Sequence, residues 1–236
     1  MGCVNFVDRL SITPQIGCTY TSMKHYNENV DLQNQFYDTL AVGSGKIGKL
    51  NGGASYSAKL GFHFSSGFSV FVGIGYLSVS TKNDISVPSS FLGDDIHARF
   101  NIKNKVFPLT FQLQYTQPLI RNKLSGIAFG EISSNYVRYN LLMDRSSTYW
   151  SDTEIKANKN QIGYLLGAGL DYEIVSRLHI VLNLEYRILN VEQLKMEDGE
   201  ILKYFDVAET GSLDAEPVIL DFSGIGFNLG FRFFFK

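Results

Sequence analysis

Residues 225 to 235 alternate without a break, with Ile225, Phe227, Leu229, Phe231, Phe233 and Phe235 on one face and Gly226, Asn228, Gly230 and Arg232 on the other. A period of two sends successive side chains to opposite sides of a strand, so this segment is greasy on one side and small or polar on the other. Four phenylalanines on one face have to leave water, and glycine with asparagine opposite suits a narrow, crowded interior. The pattern points to a membrane-spanning strand. An up-and-down barrel closes by pairing its last strand with its first, and the end of this sequence is where that closing strand is expected.

At 236 residues the chain fits one all-β domain spanning 1–236, with residues 1–9 expected as a tail. No apolar run reaches the roughly 20 residues of a spanning helix, so helical spans are excluded. Barrel strands escape that test, because each needs only about 9 to 11 residues and alternates apolar with polar. A mean hydropathy of −0.02 is therefore compatible with a membrane barrel. The formal net charge of −2 provides no basic surplus for a phosphate backbone, and nucleic acid is not expected as a partner. Cys3 and Cys18 are too few for a disulfide framework or a metal set, and no cofactor is expected. Cys18 is expected to face lipid or core. Cys3 is expected to be an unmodified tail residue, since no secretion signal precedes it.

The same alternation recurs along the chain. A first strand over 10–22 sets Leu10, Ile12, Pro14, Ile16, Cys18 and Tyr20 against Ser11, Thr13, Gln15, Gly17, Thr19 and Thr21; a second over 50–64 sets Tyr56, Ala58, Leu60, Phe62 and Phe64 against Ser55, Ser57, Lys59, Gly61 and His63. Ser65-Ser66-Gly67 then predicts a tight turn into Phe68, Val70, Val72, Ile74 and Tyr76, a register that pairs Phe62 with Val70 and Leu60 with Val72. A fourth strand reads from Phe107 to Tyr115, with Gln112 and Gln114 inward. Ile96, Ala98, Phe100 and Ile102 have the opposite parity, so a bulge near Asn104 or Lys105 is expected. In a fifth strand over 124–142, Ile127, Phe129, Val137, Tyr139 and Leu141 form the expected outer face, and a bulge near Gly130 is expected to turn Glu131 inward. Residues 162–174 and 178–188 form the sixth and seventh strands, joined by a turn at 175–177 that sets Glu173 opposite His179. The terminal segment is the eighth. A ten-stranded barrel is the alternative, if parts of 30–45 and 96–102 pair as a further hairpin.

The links between strands alternate in length. Those near 23–49, 80–105, 143–160 and 190–217 are long, whereas 65–67, 117–123 and 175–177 are short. Short turns at one end and long loops at the other describe a barrel in an asymmetric membrane, with the loops extracellular and both termini periplasmic. Alternation alone does not say which face is inside. The polar face is rich in glycine, serine, asparagine and glutamine, whereas a water-exposed strand surface favours lysine, glutamate and threonine. Such small residues fit the interior of an eight-stranded barrel, and the apolar faces are free of charge over their central stretches, as contact with lipid demands. A soluble barrel packed by the same residues is the competing fold.

Two stretches carry a family resemblance. Asn228-Leu229-Gly230-Phe231-Arg232-Phe233-Phe234-Phe235 resembles the signal read by the outer-membrane assembly machinery, through Asn228, Gly230, Phe233 and Phe235, although Lys236 trails it. Gly167-Ala168-Gly169-Leu170-Asp171-Tyr172-Glu173 with Leu184-Glu185-Tyr186-Arg187 is similar to the penultimate hairpin of the outer-membrane β-barrel domain family that includes OmpA-, OmpX- and PorT-like proteins, and Phe107-Pro108-Leu109 is similar to a middle strand of the PorT-like branch. The resemblance implies a porin-family barrel of the Gram-negative cell envelope, in contact with outer-membrane lipid and lipopolysaccharide. It implies a shared fold more firmly than a shared function.

Inward-facing Lys59, Asp171, Glu173, Glu185, Arg187 and Arg232, joined by Arg138 and Glu131, are expected to form a lumen ion-pair network that plugs the barrel, because buried charges must pair. His63-Phe64-Ser65 is similar to the His-x-Ser of a barrel lipid A deacylase, but its place at a periplasmic turn argues against catalysis there. Glu192, Glu197, Asp198, Glu200, Asp206, Glu209, Asp214 and Glu216 read as a solvated acidic loop rather than a calcium site, since no EF-hand frame orders them. Tyr149 and Trp150 are candidates for contact with an extracellular ligand or for an interface anchor. The reading is therefore a monomeric eight-stranded outer-membrane barrel with a structural or surface-interaction role. The alternative is a small-solute or hydrophobic-ligand channel of OmpW type, and a lipid-modifying enzyme is third. A folded membrane barrel resists cold detergent, so the unheated chain should migrate apart from the boiled chain on a detergent gel; identical migration would mark an ordinary soluble domain.

Overall fold

The computed structural model describes residues 10–39, 46–64, 67–87, 96–120, 123–146, 153–203 and 217–235. Seven long strands follow the chain: β1 (Leu10–Thr21), β2 (Gly52–His63), β3 (Phe68–Val87), β4 (Ile96–Ile120), β5 (Leu124–Ser146), β6 (Thr153–Val175) and β7 (Leu178–Ile188). Three two-residue strands, β8 (Asn190–Val191), β9 (Lys195–Met196) and β10 (Leu220–Asp221), precede β11 (Gly224–Phe234). Each long strand pairs antiparallel with its sequence neighbour, and β11 pairs with both β7 and β1, which closes a ring of eight. The ten-stranded alternative is not adopted. Residues 96–102 continue β4 against β3, and 24–39 form a helix, α1 (Lys24–Thr39).

The predicted registers hold where both faces alternate cleanly. Phe62 lies opposite Val70 and Leu60 opposite Val72, and Gly67 closes the β2–β3 turn at a φ of 83°, where a side chain would be strained. Glu173 lies opposite His179. The last strand presents Ile225, Phe227, Leu229, Phe231, Phe233 and Phe235 outward, and buries Asn228 and Arg232. Cys18 is exposed on the outer face of β1. Around the ring, Ile16, Leu60, Ile74, Leu109, Leu166 and Leu184 are each more than half exposed, so a continuous apolar belt covers the outside. A patch of this extent is not left in water, and it matches the lipid-facing band of a membrane barrel, about 25 Å tall.

Both expected bulges are absent, and for one physical reason. The β3–β4 and β4–β5 registers run without a shift through Asn104 and Lys105, and those of β5 run without a shift through Gly130. Polarity inverts along the strands instead. On β4 the outward row changes from Phe107, Leu109, Phe111 and Leu113 to Lys105, Lys103 and Arg99, while Val106 and Ile102 turn inward and are buried. On β3 the change falls after Tyr76, where Leu77 and Val79 are buried and Ser78, Ser80 and Lys82 point out. On β5, Val137, Tyr139, Leu141 and Met143 are buried inside, and Ile127 and Phe129 are inside as well, contrary to the outer face expected of them. Glu131 thus faces inward by simple parity. Arg138, expected in the lumen, is exposed on the outer face above the belt. An aromatic row of Tyr20, Tyr56, Tyr76, Phe107, Tyr136, Tyr164 and Tyr186 lies where the change occurs, as at a bilayer–water boundary.

Above that boundary β3 to β6 continue as an open sheet whose inner face joins an apolar core of its own. The expected long loops at 80–105 and 143–160 are largely strand, since β3 to β6 extend through them, and the expected loop at 23–49 contains α1. Helix α1 buries Tyr26 and Val30, and Met23 lies just ahead of it. Its polar Asn27 and Asn34 are two helical turns apart and each grips the backbone of one residue of 46–50 twice: Asn27 Nδ2 donates to Leu50 O at 3.0 Å and its Oδ1 accepts from Leu50 N at 2.9 Å, and Asn34 does the same at Ile47 with 3.0 and 2.8 Å. The segment 190–203, expected as a solvated loop, buries Val191, Leu194 and Leu202 beside Val218, Leu220 and Phe222. Together these elements make a cap with a hydrophobic core on the long-strand end. The short turns lie at the other end, with the start of β1 beside the end of β11. Replacing Leu109 in the belt by Arg should cost about 2–4 kcal/mol of stability in vesicles, and Ser80→Arg above it less than about 0.5 kcal/mol, by denaturant titration; equal costs would overturn the placement of the boundary.

Candidate functional site

The inward rows of all eight ring strands converge on a narrow lumen, and the charges there sit in separate groups rather than one network. Near the short-turn end, Arg232 of β11 reaches across the ring. Its Nη1 donates to Asp171 Oδ2 on β6 at 2.6 Å, its Nη2 to Gln114 Oε1 on β4 at 3.2 Å and its Nε to Thr13 Oγ1 on β1 at 3.3 Å, and the guanidinium lies 5.0 Å from the ring centre of Phe71 on β3. Asp171 also takes His179 Nδ1 of β7 at 2.6 Å. One buried cation therefore ties four other walls together, and Asp171 adds a fifth. Closer to the middle, Lys59 of β2 donates to Glu131 Oε2 on β5 and to Gln112 Oε1 on β4, both at 2.5 Å, with the Phe129 ring centre 5.9 Å away. Glu185 and Arg187 meet at 3.5 Å on the inner face of β7.

Of the expected set, Lys59, Glu131, Asp171, Arg232, Glu185 and Arg187 are paired, whereas Glu173 forms no ion pair with another described residue and Arg138 is outside, near the Tyr136 ring. Sequence reasoning missed the aromatic share of the interior. Phe71 fills space opposite Gly61, where a Cβ would stand 2.3 Å from its ring, and Phe129 fills space against Gly167 in the same way. Ile127, Phe129, Leu165 and Val181 form an apolar patch within the lumen. Parity alone assigns Phe71 and His179 to the inner rows, so that signal was present. The cavity left among Lys59, Glu131, Glu185, Arg187 and Asn228 has a volume of about 30 Å³, room for one or two waters.

At the base of the lumen both ring nitrogens of His63 are engaged by hydroxyls, Ser11 Oγ at 2.7 Å and Ser69 Oγ at 2.8 Å. Both serines are buried, and Ser65 lies outside the described residues. Of the acidic stretch, Glu192, Glu197, Asp198 and Glu200 are exposed, and residues 204–216 lie outside the described residues. Among the described residues no three His, Cys, Asp or Glu side chains are grouped to hold a metal ion. Tyr149 and Trp150 also lie outside the described residues. Asn228 accepts from Ser55 Oγ at 3.1 Å inside the barrel, Gly230 packs against Gln15, and Phe233 and Phe235 are exposed outside.

The class defined by this fold and lumen is an eight-stranded, up-and-down antiparallel barrel with a lipid-type exterior and an ionic interior. Among solved structures the chain is similar to Neisserial surface protein A, at 11% identity and a TM-score of 0.47 over 96% of both chains. It is similar to the outer membrane protein OprG from Pseudomonas aeruginosa, at 11% identity and 0.45 over 96% of this chain and 95% of that one, and to Ail, the attachment invasion locus protein of Yersinia pestis, at 11% and 0.40 over 95% and 99%. Likeness at this level adds nothing to what the strand order already establishes. No protein-family model and no curated protein matches the chain. Lys59→Met should strand the Glu131 carboxylate against Phe129 and destabilise the barrel by about 3–5 kcal/mol, while adding Glu131→Gln should restore most of that; a double variant no more stable than the single one, by urea unfolding in vesicles, would refute the pairing.

Proposed function

We propose that the chain is an integral outer-membrane barrel whose work is structural or interactive, with its cap as the contact surface and its lumen closed to solutes. The observation that carries this reading is the double crossing of the lumen, by Arg232 at the base and by Lys59 nearer the middle, beneath an apolar cap core. A solute entering from the cap side meets buried hydrocarbon first and fixed ion pairs next, and neither yields without loss of packing or of a paired charge. In this reading the cap is extracellular, and the short turns, the start of β1 and the end of β11 are periplasmic. The belt contacts outer-membrane lipid and lipopolysaccharide, the barrel is a monomer, and an extracellular ligand is met on the loop side, with Tyr149 and Trp150 as candidate contacts. The assembly machinery reads Asn228, Gly230, Phe233 and Phe235 on the closing strand.

One observation favours a second reading, a hydrophobic-ligand channel. The inner patch of Ile127, Phe129, Leu165 and Val181 offers apolar wall that an ion-filled lumen does not need. Catalysis draws less support, because the imidazole of His63 is held between two buried hydroxyls. Planar bilayers separate the first two readings. The purified chain should pass no steady current, and Arg232→Ala or Lys59→Ala with Glu131→Ala should begin to conduct; steady, salt-proportional current through the unaltered chain would refute the closed lumen.

A further inference from the structure

The cap contains a pocket that the barrel itself does not require. It lies between α1 and the extended inner faces of β4, β5 and β6, has a volume of about 90 Å³, and opens to water above the aromatic row. Val30 and Ile47 wall it on the helix side, and Ile102, Leu141 and Met143 on the sheet side. Its polar lining comprises Asn29 and Gln33 on one side of α1, joined by a 2.8 Å hydrogen bond, the two tyrosines Tyr26 and Tyr139, and Lys203 of the returning segment. Dry apolar cavities in proteins accept small apolar molecules, and a cavity of about 150 Å³ already holds a benzene ring. This pocket is smaller but open at its mouth, so a short hydrocarbon chain fits better than a ring system.

We propose that this pocket binds a small amphiphilic anion, a short-chain carboxylate whose hydrocarbon lies between Val30 and Met143 and whose head is held by Lys203 with the Gln33 amide. Three features point to this class. The walls are mostly hydrocarbon, from Val30, Ile47, Ile102, Leu141 and Met143, which favours an apolar body. Lys203 and Gln33 in the lining both carry N–H donors, and the Lys203 ammonium favours an anionic head over a cationic one. The grips of Asn27 on Leu50 and of Asn34 on Ile47 hold the helix-side wall in position, so the site is formed in advance of its ligand. The assignment rests on the cap standing outside the bilayer and is independent of whether the lumen conducts.

The test uses the full chain in lipid nanodiscs with its methionine methyl groups carbon-13 labelled, titrated with hexanoate up to its solubility. The Met143 methyl resonance should shift and saturate. Val30→Phe, which fills the space, should abolish that shift while the altered chain still migrates as a folded barrel. Lys203→Glu should weaken hexanoate by about tenfold or more, the value of a charge-assisted contact, and hexylammonium should bind the unaltered chain more weakly than hexanoate. A Met143 signal that never saturates overturns the site, as does saturation that Val30→Phe leaves unchanged. Saturation that is indifferent to Lys203→Glu, or equal for hexylammonium, overturns the anionic class. Methionines elsewhere in the chain report whether an effect is confined to the pocket, and the detergent gel reports separately on the barrel.

Discussion

Closure of β11 onto β1 is the contact on which the rest depends. Ile12 to Thr21 face Phe233 to Gly224 in register, and with that seam made no ring strand keeps a free edge within the apolar belt. In hydrocarbon an unpaired backbone amide or carbonyl costs several kcal/mol, so an open sheet of these strands would have no stable place in lipid. The seam also brings Arg232 within reach of Thr13 across the strand pair, and of Asp171 and Gln114 across the lumen. Backbone closure and lumen chemistry are in this sense one arrangement, since the strand that completes the hydrogen-bonded ring also carries the cation that crosses its base.

The second organising feature is the reversal of sidedness along β3 to β6. A strand that passes from lipid into water must exchange its faces, because its outer row meets acyl chains below and solvent above. The exchange needs no bulge when the residue pattern itself changes sign, as it does between Val106 and Phe107 and between Tyr136 and Val137. Above the change the interior is apolar and needs to be covered on the side where β1, β2, β7 and β11 stop short. Helix α1 and the segment around β8 to β10 supply that cover, and the paired grips of Asn27 and Asn34 let a helix with few apolar residues dock firmly.

This accounts for what was legible beforehand and what was not. Strands with one unbroken period of two, such as 10–21, 52–63, 162–174 and 225–234, could be read with their pairing and their faces, because a one-residue slip would move every phenylalanine or leucine to the wrong side. Ile127, Phe129 and Ile102 were misread for a common reason. Alternation was taken to have one sign along a whole strand, so a change of solvent looked like a change of register. Helix α1 was hidden because its buried face is half asparagine and its role depends on partners in 46–50 that no local pattern reveals. The charged lumen residues could be selected by parity, but not which cation meets which anion. Lys59 and Glu131 are separated around the ring by two intervening strands, and only closure brings them together.

The ionic interior raises a question of energetics, since buried ion pairs are seldom more stabilising than well-packed hydrocarbon of the same volume. In a soluble barrel an apolar interior already distinguishes inside from outside. In a lipid-facing barrel the exterior is apolar too, and an apolar lumen would leave each strand almost indifferent to a slip of one residue. Rows containing Lys59, Glu131, Asp171 and Arg232 remove that indifference, because the slipped strand would put a charge into acyl chains at about 2–4 kcal/mol for each cation and leave its partner unpaired inside. The inverted half above the belt adds a second penalty of opposite sense, since the same slip would expose Val106 and Val137 to water and bury Lys105 and Arg138. Specification of register, more than added stability, is therefore the return on filling this lumen with charge, and the distribution of the pairs across non-adjacent strands applies it to the ring as a whole.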